Sequence, residues 1–133
     1  MSTTSLIKKL RLQPNQRALI VNAPAGYVES LGKLPDGVEI VVEAEAGTCD
    51  FVHIFAKNSA QYAAHGPAAV AAVKYDGILW ISYPKKSARV ETDLSRDAMW
   101  HIVADVGLRP VTQISIDKTW SAVRFRPTEL VGK

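Results

Sequence analysis

The chain of 133 residues has one cysteine, no GxSxG, P-loop or HExxH signature, and nowhere an apolar run long enough to cross a bilayer. Each absence removes a class of protein. Cys49 cannot close an internal disulfide and has no CxxC partner, so neither a secreted disulfide scaffold nor a zinc site is supported. A small, half-buried thiol is expected there. Without a nucleophile elbow, phosphate loop or helical zinc motif, the hydrolase and NTPase readings lose their basis. The opening "MSTTSLIKKLRLQ" has no apolar stretch ahead of a small-residue cleavage site. Together with the lack of an apolar span, this leads to the expectation of a cytoplasmic protein with no membrane partner.

Charge is scarce in its excess. A formal net charge of +3 and a pI near 9.1 attract anions but fall short of a nucleic-acid footprint unless the charges cluster. Two clusters exist: Lys8, Lys9 and Arg11, then Lys85, Lys86 and Arg89. The first reads as part of a loose N-terminal segment, 1–16, and the tail 128–133 reads as loose too. The histidines follow no metal spacing, and no metal is expected. His101 shares an outer helical stripe with Asp97 and Asp105, while His53 lies in an apolar strand as a satisfied core residue.

What is present is a single-domain length with an ordinary core: 47% hydrophobic and 22% charged residues. Short aliphatic runs alternate with helical segments, which predicts an α/β sheet covered on both faces. Strands are expected at 17–23, 38–44, 51–56 and 77–83, the second more exposed because Glu39, Val41 and Glu43 alternate with Val38, Ile40 and Val42. A helix interrupted at Gly66 and Pro67 is expected to restart there, since proline suits a first turn. The next helix has Thr92 or Asp93 as N-cap, a buried stripe of Leu94, Ala98, Ile102 and Val106, and Gly107 in the left-handed position after its end. Two last strands, 110–116 and 121–127, are joined by "DKTW", which is short enough only for an antiparallel hairpin.

This order of elements, with "AAVKYDGILWISYPK" entering the strand before the last helix, resembles the Rossmann-like fold of class I S-adenosylmethionine-dependent methyltransferases. There "VKYDG" takes the place of the family's "LKPGG"-type turn. The stretches "NAPAGY", "ISYPK", "TDLSRD" and "TWSAVRFRP" are also similar to a family of small bacterial proteins carrying a domain of unknown function. The methyltransferase resemblance implies a mostly parallel sheet in the order 2-1-3-4-6-5. One strand and helix are then deleted, because only "EAGTCD" joins strands two and three. Six extended residues reach roughly 20 Å, about one strand length.

The same resemblance implies a cofactor turn after the first strand, where glycines let the backbone pass close to the ligand. Here that turn offers Asn22, Pro24 and Gly26, followed by Tyr27, and the ribose-binding acid is matched by Glu43 or Glu45. Pro24 lacks an N–H and adds a ring, so S-adenosylmethionine is disfavoured as a cofactor. Ligands of such sheets bind outside the carboxyl ends of the strands. That rule gathers Asn22, Tyr27, Lys85, Thr92, Asp93, Arg96, Asp97 and Trp120 on one rim, with Lys85 beside a helix N-terminus as the anion-binding candidate. Three functions compete. The leading one is a non-catalytic, methyltransferase-like binding module whose rim takes a small anion, a nucleotide or an acidic protein partner. The alternatives are a minimal methyltransferase and a weak nucleic-acid binder, the last disfavoured because basic residues are not interleaved with aromatics.

Overall fold

The computed structural model describes residues 6–85, 88, 91–104 and 106–131. Its strands are β1 (Arg17–Val21), β2 (Glu39–Val41), β3 (Cys49–Phe55), β4 (Val73–Pro84), β5 (Leu108–Ser115) and β6 (Trp120–Pro127). They form one six-stranded sheet in the order β2-β1-β3-β4-β6-β5. Strands β2, β1, β3 and β4 are mutually parallel, and β6 enters antiparallel between β4 and β5. The chain therefore has the expected Rossmann-like, methyltransferase-like topology. The segment 42–48 crosses from β2 to β3 without a helix, as the short connection required.

Period-two alternation sorts the strand residues between two layers. Leu19, Val52, Ile54, Leu79, Ile81 and Val123 face α3 (Ser59–Ala72) and α4 (Arg96–Ala104), which contribute Tyr62, Ala69, Met99 and Val103. Ala18, Ile20, Phe51, Phe55, Trp80 and Trp120 face the other way, beneath α1 (Leu6–Leu10), α2 (Tyr27–Ser30) and Leu31. Each large side chain so buried stabilises the fold by about 1.5–3 kcal/mol.

Several expectations need correction. The part of the N-terminal segment from Leu6 onward is docked, not loose: Leu10 and Leu12 are buried, and Trp80 Nε1 donates to the Leu10 carbonyl at 2.8 Å. The tail is held as far as Leu130 by a 3-10 turn, by Thr128 N–H donating to Gly107 O, and by Tyr75 Oη donating to Glu129. Helix α3 does not restart at Pro67 but runs through it. Gly66 explains the tolerance in part, because it gives the proline ring no preceding Cβ to clash with; a Cβ there would also lie 2.4 Å from the Tyr62 ring. "VKYDG" is not a turn but the start of β4, with a register shift against β3 and Asp76 at φ 55°. Its strained backbone is clamped by Arg126, whose Nε and Nη2 donate to the Asp76 carboxylate at 2.9 Å each.

The first two strands are shorter than expected, ending at Val21 and Val41, and β3 starts earlier at Cys49, whose thiol is wholly buried. On α4 the buried residues are Met99 and Val103, with Leu94 buried just before the helix. Val106 lies beyond the helix and is 63% exposed. Gly107 does take the left-handed conformation, at φ 80°. Among the described residues no helix is long and apolar enough to cross a membrane, and no cluster of His, Cys, Asp and Glu could hold a metal.

Candidate functional site

The turn after β1 is left-handed at two positions and has glycine at only one of them. Asn22 stands at φ 57° and Gly26 at φ 86°, both left-handed, a region glycine enters freely and asparagine more readily than most residues. Tyr27 N–H donates to Pro24 O and Ser30 N–H to Gly26 O, which closes the turn into α2. A Cβ on Gly26 would meet nothing within 4 Å, so this glycine serves its φ and no close approach. Asn22 and Gly26 are exposed and Pro24 is half-buried. Helix α2 has only 4 residues, too few to build an appreciable dipole at its start.

Tyr27 leaves the rim altogether, which corrects its expected placement. Its side chain turns under the sheet, 4% exposed, and its hydroxyl lies 2.7 Å from His53 Nδ1. His53 Nε2 lies 2.6 Å from Ser82 Oγ. A neutral imidazole has one donor and one acceptor, and two hydroxyls satisfy both whichever tautomer is present. Burial pushes the His53 pKa down to about 3 and raises that of Tyr27. The imidazole stacks on Phe55 with centroids 4.2 Å apart, and Tyr27 meets both rings edge-on. His53 is thus the satisfied core residue expected of it. Ser82 is fully buried as well, so the Tyr27, His53 and Ser82 chain is closed to solvent.

At the carboxyl ends of β3 and β4, the polar groups spend themselves on one another. Asn58 caps α3 by accepting from Gln61 N–H, and the Gln61 side chain reaches back to Lys57 N–H. Asp93 accepts from Ser59 N–H at 2.8 Å and from the Ser59 hydroxyl. It therefore satisfies the start of α3, not of its own helix, and the two hydrogen bonds lower its pKa. Thr92 Oγ1 accepts from Leu94 N–H, and the cap of α4 is Ser95, whose Oγ accepts from Ala98 N–H. Both expected caps are thereby reassigned. Sequence alone had a signal for Ser95, a serine immediately before "RDAMW", but Thr92 and Asp93 competed with it. Ser59 and Ser82 carried none.

Lys85 N–H donates to Thr119 O, and Nζ donates to Ser115 Oγ at 2.6 Å, which leans the ammonium toward the β5–β6 hairpin. Lys85 still shares a groove with Ser95, Asp97, Tyr83 and Gln113. Asp97 is exposed, and Arg96 opens α4. Trp120 does not reach the rim: it is 6% exposed and packs edge-on against Phe55, on the face opposite α4. Glu43 is exposed beside Arg17 and Thr48, with Glu45 lining the same depression. Lys86, Arg89 and Asp105 lie outside the described residues. The rim thus divides into three separate groups: the Asn22 to Gly26 turn, the Asn58, Ser59, Thr92 and Asp93 clasp, and the Lys85 groove.

Fold and sheet order are those of Rossmann-like methyltransferases. No protein-family model and no curated protein sequence matches the chain. Solved structures do. An S-adenosylmethionine-dependent methyltransferase from Aquifex aeolicus is similar with a TM-score of 0.63 at 16% identity, over 90% of this chain and 86% of that one. DhpI in complex with SAH is similar with a TM-score of 0.61 at 12% identity, over 92% and 82%. The Burkholderia thailandensis 1,6-didemethyltoxoflavin-N1-methyltransferase, with bound 1,6-didemethyltoxoflavin and S-adenosylhomocysteine, gives 0.57 at 12%, over 92% and 75%. At such identities the likeness is one of fold.

Proposed function

We propose that this chain is a methyltransferase-fold protein that works as a non-catalytic binding or interaction module. The β1–α2 turn carries this reading. Its left-handed backbone survives at Asn22 and Gly26, yet an amide side chain and the Pro24 ring occupy the path where a cofactor needs bare backbone. The helix that follows is one turn long, and Tyr27, its first residue, is committed to His53. Asp93, the acid best placed at the carboxyl edge, is committed to Ser59. The partner is a small anion or an acidic protein segment, held in the groove of Lys85, Ser95 and Gln113.

Isothermal titration with S-adenosylmethionine tests the reading. Weak or no saturable heat is expected. A dissociation constant in the low micromolar range, on the order of −8 kcal/mol, overturns it and installs the minimal methyltransferase in its place.

A further inference from the structure

Away from the carboxyl edge, β6 sets two arginines in succession, Arg124 and Arg126, on the face that α1 covers further along the sheet. Cross-strand pairing adds to them. Arg109 of β5 stands opposite Arg126, and Thr112 opposite Arg124, and directly opposed residues of an antiparallel pair project from the same face. On the other side Arg124 is opposite Trp80, whose indole ties down the Leu10 carbonyl. That tie brings the next residue, the exposed Arg11, close enough to repel Arg124. Four guanidinium groups thus meet on one surface. The carboxylate seen among them, Asp76, is engaged by both donors that Arg126 turns toward it.

Arg124 is the group left over. It is half-buried, and its Nε–H is shielded from solvent without a hydrogen-bond partner among the described residues. Arg17 Nε is orphaned in the same sense, but Glu39 lies 4.0 Å away as its counter-ion. Arg124 has no such carboxylate within ion-pair distance among the described residues. Desolvation first, then Arg11 and Arg126, push its pKa below the ordinary arginine value, with Asp76 only partly opposing them. A part-buried, unpaired cation between like charges is an unfavourable arrangement, and an anion at the exposed side of the guanidinium relieves its charge.

We propose that Arg124, flanked by Arg11 and Thr112, is a binding site for a phosphate group. Phosphate fits better than carboxylate because its oxygens can bridge two guanidinium groups and still accept from the Thr112 hydroxyl. A carboxylate has only two oxygens and prefers the side-by-side donors of one arginine, as Asp76 takes them from Arg126. The site lies on the opposite side of the sheet from α4 and is independent of the Lys85 groove.

The Arg124 Nε–H proton reports on the site directly. In nitrogen-15 spectra of the whole chain, assigned by its loss in Arg124→Lys, this signal is expected to shift saturably on titration with inorganic phosphate. Arg11→Gln changes an exposed residue and leaves the fold intact, and it should weaken phosphate binding at least several-fold. A mixed-sequence single-stranded oligonucleotide separates the two sources of the group. If it moves the same signal at far lower concentration, with a salt slope that falls by about one in Arg11→Gln, the phosphate belongs to a polynucleotide. If only inorganic phosphate moves it, the ligand is a small phosphate compound. A signal that neither probe moves, or shifts confined to the Lys85 groove, overturns the proposal.

Discussion

The two faces of the sheet are built on different principles. Under α3 and α4 the core is mainly aliphatic, with Leu79, Ile81, Met99 and Val103 among its members and Tyr62, Tyr83 and Phe125 as its aromatic rings. Under α1 and α2 it is aromatic, with Phe51, Phe55, Trp80 and Trp120, and a hydrogen-bonded Tyr27, His53 and Ser82 chain runs through it. An aliphatic layer tolerates repacking. A buried polar chain demands that every member stay in place and uncharged. The second face is also the one that closes the β1 turn, since Tyr27 plugs into it directly behind Gly26. Tyr27, which locks this face, thus stands next to the left-handed Gly26 of the turn.

The largest expected effect separates the faces by acid. His53 is neutral in the fold, its pKa depressed from 6.5 to about 3 by burial. Its contribution is fully present above the unfolded value and is lost as pH falls from 6.5 toward 3. The slope approaches about 1.4 kcal/mol per pH unit for one proton. Chemical denaturation at pH 7, 6 and 5 measures this before the lowered carboxylates of Asp50 and Asp93 begin to contribute. His53→Gln should flatten the profile, whereas Met99→Leu on the aliphatic face should leave it unchanged. Equal slopes in wild type and His53→Gln would erase the distinction.

Next in size is truncation. Leu10→Ala removes a fully buried side chain from α1 and should cost about 2–5 kcal/mol, comparable to Met99→Ala on the other face. If α1 is a true part of the second core, Leu10→Ala should also raise the solvent exchange of the Trp80 indole proton, which Met99→Ala should not. Tyr27→Phe keeps the ring and deletes the hydroxyl, leaving one nitrogen of His53 unsatisfied at about 1–3 kcal/mol. Thermal melts resolve that loss. The smallest effect belongs to the surface clasp: Asp93→Ala, which loses both bonds, should lower the melting temperature slightly and by more than Ser59→Ala, which loses only the hydroxyl bond, and the double variant should be no worse than Asp93→Ala. Additive losses would mean that Asp93 acts elsewhere.

The strands and the final hairpin were legible because their causes are local, apolar runs and a "DKTW" too short for anything but a hairpin, whereas the order of the parallel strands was implied by the methyltransferase resemblance alone. The same reasoning failed where tertiary contacts decided. Pro67 is a local exception: it sits inside α3, where the preceding Gly66 has no Cβ to clash with the proline ring. "VKYDG" is extended because Arg126, 50 residues further along, clamps Asp76. Asp93 resembles a local cap, yet it serves α3 because its carboxylate meets Ser59, which precedes it by 34 residues. Leu10 and Leu12 lie in a segment whose lysines suggest solvent, and only the distant indole of Trp80 reveals their burial. The candidate rim, expected as one convergent set, is divided into separate groups after β1, β3 and β4. It was wrong for Tyr27 and Trp120, because a polar tip on an aromatic ring does not disclose which way the ring turns.

The claim that this fold has given up its cofactor is tested most directly by titrating S-adenosylmethionine and S-adenosylhomocysteine into wild type and into an Asn22→Gly, Pro24→Gly double variant. The wild type is expected to give weak or no saturable heat with either compound, and any gain in affinity should be confined to the variant. Low-micromolar binding by the wild type, undiminished in the variant, would contradict the account.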